Sequence, residues 1–428
     1  MYPKSLSNFV NVKSREDIKI ESNSLIARGY GRSYGDSAIQ PKQTVDMRSI
    51  NKIINFNRET GEITAQAGLS IDSLLKKIIP FGWFMPVTPG SKFISVGGMV
   101  AADVHGKNHH KEGSFFQFID NINLITEDDV SINCSRDKNV ELFRDTIGGM
   151  GLTGIILDVS FRLKKIDTSY IKQEKIVANN LNQVFDLFEL HKNVTYTVAW
   201  LDCLSKKDNI GRSIFYMGEH AKKEDLLSSN IKEPLQIIKK FKKRVLFNFP
   251  SWILNNYTIR LFNFLVFYKN HFNRKSLVDY DSFFYPLDSI ENWNRIYGNK
   301  GFLQYQFVLP LNVSKKGITE ILNLLEKNNS GSFLAVLKLF GKKSEGTLSF
   351  PVEGYTLTLD FPVTKKNLLL MNEVDNIILK YGGKVYLAKD SRMKAEIFSK
   401  MYKNEKNKLS MRSKKNKFSS LQSERLGL

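Results

Sequence analysis

Three short stretches place glycines where the backbone could meet an anion. In "IARGYGRSYGDSAIQ", residues 26–40, Gly29, Gly31 and Gly35 follow a strand-like lead and are interleaved with Arg28, Arg32 and Ser33. Glycine frees main-chain N–H groups to approach an anion closely, while the arginines add charge and the hydroxyl adds a donor. "SVGGMVAADVHGKNHH", residues 95–110, supplies Gly97, Gly98, Ala101 and Ala102, a small-residue surface that could pack flat against a planar group. "GGMGLTG", residues 148–154, holds a G-x-G-x-x-G at Gly149, Gly151 and Gly154. A dinucleotide fingerprint needs a strand before it and a helix after it. Here helix-like "NVELFRDT" precedes and β-rich "IILDVSFRL" follows, so the spacing is a decoy. Together the three segments point to a long cofactor lying between them, not to a nicotinamide Rossmann fold.

The histidines invite a metal test. His105 and His109 stand four apart, as two zinc ligands on a helix would. No glutamate completes H-E-x-x-H, Gly106 disfavours a helix start, and no cysteine or carboxylate cluster supplies further ligands. The expectation is no metal, with His105 and Lys107 on a polar rim beside a bound ligand. Lys338 stands alone in apolar "VLKLFG", and a lone lysine in such a strand usually has a reason to be there.

The elements that must position these residues follow from patterning. "KIINFN", the turn "RETG" and "EITAQAG" read as paired strands, and "NINLITEDDVSINCS" as a hairpin. Ser70 is a plausible N-cap for "SIDSLLKKIIPFG". Beyond Asp167, "LNQVFDLFELHKN" and "GITEILNLLEKNNS" are amphipathic helices, and "TYTVAWLDCL", "FLQYQFVLP", "SFLAVLKLFG" and "YTLTLDFPV" are strands. The fold class is α+β: a cofactor domain over 1–167, a substrate domain over 168–383 with a sheet covered by helices, and a segment 384–428 returning to the first.

Bulk properties narrow the classes. The chain has 428 residues and only two cysteines, Cys134 and Cys203, which fits a reducing compartment. No apolar leader is read at the N-terminus. Net charge is +20, with twelve Lys/Arg against four Asp/Glu between Lys389 and Arg425 and a second basic run from Lys239 to Arg244. No nucleic-acid-binding motif accompanies that charge. The run "KKFKKR" adjoins the aromatic, apolar stretches Val245–Ile259 and Leu261–Tyr268, the combination of an interfacial membrane contact. A buried helix pair is the competing reading.

"ARGYGRSYGDSA", "TPGSKFISVGGMVAADVHGKNHHKEGSF" and "GGMGLTGII" together resemble the PCMH-type FAD-binding module of the vanillyl-alcohol oxidase superfamily. Within it, the chain is most similar to the decaprenylphosphoryl-β-D-ribose 2′-oxidases, and the likeness continues through "WNRIYGNKGFLQYQFVLP", "KLFG", "LSFPVEGYTLTLDFPV" and "YGGKVYLAKDSRM". The resemblance implies a two-lobed flavoprotein. FAD would be wrapped by Ile26 and by Ala27, Arg28, Gly29, Tyr30, Gly31, Arg32, Ser33, Tyr34, Gly35 and Asp36. Gly90, Ser95, Val96, Gly97, Gly98, Ala102, His105, Ile156 and Tyr386 would complete its site. The substrate pocket would take Lys107, Gln304, Gln306, Lys338, Thr358 and Lys389. Many relatives bond the flavin covalently to a histidine in the first loop; Arg32 fills that slot, so FAD should be non-covalent.

The implied reaction oxidises the C2 hydroxyl of a polyprenyl-phosphate-linked pentose to a keto sugar, sending hydride to the flavin and a proton elsewhere. A cation stabilises the charge the reduced flavin acquires, and Lys389, beside Tyr386, is the candidate. The proton acceptor is His105 or Lys338. Gln304 and Gln306 alternate with Tyr305 on a strand, face one side and suit sugar hydroxyls. Thr358 stands where the family often has cysteine, and Phe284 where it usually has tyrosine, so substrate details can differ. The implied partner is an NAD(P)H-dependent short-chain reductase, and the implied location is the inner face of the cell membrane, peripherally attached. The alternatives are a soluble sugar, alditol or aldonolactone oxidase and, outside enzymes, a basic nucleic-acid-binding protein.

Overall fold

The computed structural model describes residues 2–20, 24–227, 232–238, 240–250, 253, 255–270, 275–332, 334–405 and 417–428. Lys239 of the basic run, His271 and residues 406–416 of the basic tail lie outside them. The N-terminal lobe holds two main sheets, beside a two-stranded pairing of Trp83–Phe84 with Lys164–Lys165. A small parallel one joins β1 (Phe9–Asn11), β2 (Ile26–Arg28) and β3 (Thr44–Asp46) in the order β1-β3-β2. An antiparallel one joins β4 (Ile53–Phe56), β5 (Glu62–Gln66), β6 (Ile119–Ile125), β7 (Ser131–Ser135) and β8 (Ile155–Arg162) in the order β4-β5-β8-β6-β7. Ser70 caps α1 (Ile71–Ile78), its hydroxyl accepting the Ser73 N–H at 3.1 Å. Apolar Ile71, Leu74, Leu75 and Ile78 form the buried stripe that fixes this helix to the sheet. Ser95 caps the short helix α2 (Val96–Ala101).

The second lobe is one eight-stranded sheet. Its strands are β9 (Tyr170–Ala178), β10 (Tyr196–Leu201), β11 (Ser213–His220), β12 (Lys275–Asp279), β13 (Phe302–Pro310), β14 (Ala335–Phe340), β15 (Gly354–Pro362) and β16 (Lys384–Val385). Their spatial order is β12-β9-β11-β10-β14-β15-β13-β16, and all neighbours in it pair antiparallel. Helices α3 (Leu181–Leu190), α5 (Leu311–Lys327) and α6 (Lys365–Lys380) cover one face. Strand alternation sends Phe307 and Leu309, Leu337 and Leu339, and Leu357 and Leu359 to that covered side. The other face looks at the N-terminal lobe. The helix α4 (Asn256–Lys269) lies at its far end, where Phe267 packs with Trp200 and Ile214. A single hydrophobic cluster runs from Ile63 to Leu426 through both lobes.

The chain then returns. After α7 (Ala395–Met401), the last described residues pair Phe418 with Leu25 beside β2 and form α8 (Leu421–Leu426) against the N-terminal lobe. The apolar ending of "FSSLQSERLGL" explains this docking: Leu426 and Phe418 are buried.

Candidate active site

The loop after β2 is a cradle pressed between two neighbours. Gly31 and Gly35 adopt φ of +59° and +83°, which side-chain-bearing residues avoid. A Cβ on Gly35 would sit 2.4 Å from the Asp390 carbonyl, and one on Gly29 2.1 Å from Ser95 Oγ. Arg28 Nη1 donates to the Ala38 carbonyl at 3.0 Å and Arg32 Nε to the Phe93 carbonyl at 3.2 Å. Tyr34 N–H donates to the Ala388 carbonyl at 2.8 Å, while the N–H groups of Gly29 to Ser33 have no acceptor among the described residues.

The second glycine segment behaves differently. Val96 and Gly97 N–H donate to the carbonyls of Leu69 and Ala67, and Gly98 N–H to Ser95 Oγ at 3.2 Å. The start of α2 is therefore satisfied within the protein, and the open donors belong to the first loop. Ala102 accepts the Tyr386 hydroxyl at 2.8 Å. The decoy segment braces α2 from behind: Gly148 N–H donates to Val100 and Met150 N–H to Ala101. Ile156 lies buried on β8. A Cβ on Gly90 would meet nothing within 4 Å, and the buried hydroxyls of Ser37 and Ser391 have no partner. Free amides, open space at Gly90 and orphaned hydroxyls fit a pyrophosphate-bearing cofactor.

Facing this cradle, three adjacent strands of the second lobe present a polar strip. Register pairs Gln304 with Asp360, Gln306 with Thr358, and Lys338 with Thr356. Gln304 Nε2 donates to Asp360 Oδ1 at 2.6 Å, and Tyr297 hydroxyl to Asp360 Oδ2 at 3.4 Å. Gln306 Nε2 donates to Thr356 Oγ1 at 3.0 Å, whose own hydroxyl donates to the Phe307 carbonyl at 2.8 Å. The same amide nitrogen lies 3.0 Å from His105 Nε2, so that ring nitrogen accepts and the proton sits on Nδ1. His105 Nδ1 is buried without a partner, inside an aromatic cage of Phe340, Phe350 and Tyr386. Burial, then the charge of Lys338, holds its pKa well below the usual histidine value.

Three lysines converge on the strip. Burial lowers Lys338 to about 8. Burial, reinforced by Lys338, lowers Lys107 to about 7, and its ammonium donates to the Phe283 carbonyl and sits 4.1 Å from the Phe283 ring centre. Burial also lowers Lys389 to about 7, against the opposing pull of Asp360. Its ammonium lies 3.9 Å from the centre of the Tyr34 ring. Asp360 is raised to about 7 by burial. His109 is a packing residue: Nδ1 accepts from Gly341 N–H at 3.2 Å and the ring lies against Phe340. Among the described residues, no group of three His, Cys, Asp or Glu could hold a metal.

The structure thus brings the cradle, Tyr386, Lys389, Lys338, Lys107, His105, Gln304, Gln306 and Thr358 together where the two lobes meet. Sequence reasoning missed Asp360, although Thr356, Thr358 and Asp360 alternate visibly in "YTLTLDF". It also missed Arg425, which no local pattern marks.

Residues 12–135 match a family model described as an FAD binding domain. The chain is 36% identical over 386 residues, 88% of its own length and 83% of the other's, to "Decaprenylphosphoryl-beta-D-ribose oxidase" of Mycolicibacterium smegmatis. It belongs to that family of FAD-dependent oxidoreductases. The L-gulonolactone oxidase of Mus musculus is more distant, 23% identical over 206 residues that cover 47% of this chain and 44% of the other. Among solved structures, Physcomitrella patens BBE-like 1 superposes with a TM-score of 0.65 at 15% identity, covering 96% of this chain and 89% of that one, which establishes the shared two-lobed fold.

Proposed function

We propose that this oxidoreductase oxidises the C2 hydroxyl of a polyprenyl-phosphate-linked pentose to a keto sugar. The step is the first half of an epimerisation that an NAD(P)H-dependent short-chain reductase completes. The observation that carries the reading is the polar strip itself. Gln304, Gln306 and Thr358 offer hydrogen bonds to sugar hydroxyls, and Lys107 and Lys389 bring positive charge beside them. The named activity of the relative that covers 88% of the chain supports the same class.

The residues divide the work. The free amides of Gly29 to Ser33, with Arg28 and Arg32, would hold the cofactor pyrophosphate, and Gly90, Ser95, Val96, Gly97, Gly98, Ala102, Ile156 and Tyr386 would shape the rest of its bed. Bound FAD supplies the two-electron acceptor. Lys389 places a cation against the cofactor loop and opposes the negative charge that reduction develops. Lys338 takes the hydroxyl proton. Its amine is depressed into the working range, whereas His105 Nε2 is already held by Gln306 and Nδ1 is sealed. The phenyl rings around His105 and Lys107 exclude water from the reacting carbon.

The apolar helix α4 supports a lipid-linked substrate. Ile259, Asn263 and Phe267 are buried, while Tyr257, Leu261, Phe264, Leu265 and Tyr268, at helical spacing, are exposed. The helix packs on Trp200, whose neighbour Val336 pairs with Thr358 of the strip. Lys240, Lys242, Lys243 and Arg244 lie on the strap before it, and Lys242 sits 4.8 Å from the ring of Phe93 at the cradle. Such a stripe with adjoining cations fits peripheral attachment to an anionic membrane. Among the described residues no helix is long and apolar enough to cross one.

Anaerobic bleaching of the flavin at 450 nm tests the assignment. A polyprenyl-phosphoryl pentose should bleach it, and free pentoses, alditols and aldonolactones should not. Bleaching by the free compounds alone would overturn the reading.

A further inference from the structure

We propose that the C-terminal twelve residues form a clasp that holds the cofactor cradle and the Lys389 segment in one arrangement, with Arg425 as its positioning residue. The inference rests on the FAD reading of the cradle. Arg425 forks onto Asp36 at the loop's exit, Nη2 to Oδ1 at 2.7 Å and Nε to Oδ2 at 3.0 Å. Its Nη1 reaches Asp390 Oδ2 at 3.0 Å, the residue after Lys389, and the Met393 carbonyl at 2.7 Å. Both carboxylates are buried, at 2% and 3% exposure; among the described residues this guanidinium is the cation in contact with each, while Asp390 Oδ1 also accepts the Arg392 and Met393 N–H groups.

The rest of the clasp repeats the same division. On the cradle side, Ser419 N–H donates to Leu25 just before β2, Leu25 N–H to Lys417, and Leu421 N–H to Ile39. Gln40 Nε2 donates to Ser419 Oγ and Glu424 Oε1, both at 2.9 Å. On the Lys389 side, Gln422 Nε2 donates to the Leu387 carbonyl at 2.7 Å. The two clasped parts also touch directly: Tyr34 N–H donates to Ala388, Lys389 lies over the Tyr34 ring, and the Gly35 backbone is pressed on Asp390 and Ser391. Among the described residues Arg425 is the ion-pair partner of a carboxylate in each part, and its loss leaves Asp36 and Asp390 buried without that partner, two like charges that push the parts away from one another. The cradle then loosens and Lys389 leaves its place beside the cofactor.

The test uses the full chain, stripped of flavin and retitrated with FAD by fluorescence quenching. At saturating FAD, sulfite is then titrated, since its anionic flavin adduct reports a cation held against the ring. Arg425→Ala is expected to weaken both FAD and sulfite at least tenfold. Arg425→Lys, which keeps the charge and loses the fork, should fall between. If either affinity in Arg425→Ala stays within twofold of the wild type, the clasp is refuted. Should that variant fail to fold, Gln422→Ala is read by the same two titrations. Failure of the wild type to bind FAD would sink the cofactor reading instead, a separate outcome.

Discussion

The ammonium of Lys389 lies 3.9 Å from the centre of the Tyr34 ring. The pair joins the glycine cradle, near the start of the chain, to a segment more than three hundred residues later. It places an ammonium beside the glycine cradle, where the cofactor is proposed to lie. A cation that opposes charge developing in the reaction contributes to rate more than to binding. Lys389→Met should therefore keep FAD and lower the rate of anaerobic flavin reduction by about 10²–10³-fold. Lys389→Arg should restore part of it. Stopped-flow absorbance at 450 nm measures both, and a normal rate in the methionine variant would dismiss the role.

Lys338 and His105 divide differently. With Lys338 as proton acceptor, the neutral amine is the active form. Reduction should accelerate as pH rises through about 8. Lys338→Met should remove that ascending limb with a loss of about 10²–10⁴-fold. His105→Asn disturbs Gln306 and should leave the limb in place. A limb that survives in Lys338→Met assigns the base elsewhere.

The same lysine makes a stability prediction. Its folded pKa of about 8 lies below the ordinary 10.5, so between those values the unfolded chain binds more protons. Stability of the flavin-free chain therefore rises with pH across that window. Lys338→Met removes a partly desolvated charge and should stabilise the flavin-free chain at pH 7 by about 1–2 kcal/mol. That advantage should fade as pH approaches 10.5. Thermal melts of both proteins from pH 7 to 10.5 test the sign.

Two glycines separate cradle geometry from cofactor contact. Gly35→Ala meets the Asp390 carbonyl and a forbidden φ, and should lower both the flavin-free melting point and FAD retention. Gly90→Ala enters open space and should leave the flavin-free melt unchanged while weakening FAD. Unchanged FAD affinity in Gly90→Ala would remove that position from the cofactor bed. In the same preparations, denaturation and filtration should release all the yellow colour, because Arg32 cannot form the tether that a histidine would.

The exposed stripe of α4 predicts a membrane phenotype. Leu261→Asp with Leu265→Asp should abolish sedimentation with vesicles containing anionic lipid. Reversing Lys240, Lys242, Lys243 and Arg244 should weaken it in a salt-dependent way. Oxidation of a detergent-dispersed substrate should survive in the α4 variant. Undiminished sedimentation would return the stripe to an ordinary exposed surface.

Much of this site was legible as residue types in local context. The three glycine segments mark themselves, because glycine is favoured where a chain turns through positive φ or lies against another backbone. The strand period puts Gln304 and Gln306 on one side without further information, and the alternation in "YTLTLDF" likewise puts Thr356, Thr358 and Asp360 on one side, though not opposite any named partner. Apolar flanks around Lys338 announce a buried cation. What the sequence could not decide are pairings between distant segments, since those depend on which surfaces meet when one core closes over both lobes. Only the tertiary structure gives His105 its acceptor role through Gln306, lays Lys389 on Tyr34, and turns Arg425 from one basic residue in a basic tail into the partner of two buried carboxylates. The reason is physical: periodicity and turn chemistry act within a few residues, whereas burial, which sets both the charge states and the partners here, is a property of the closed fold.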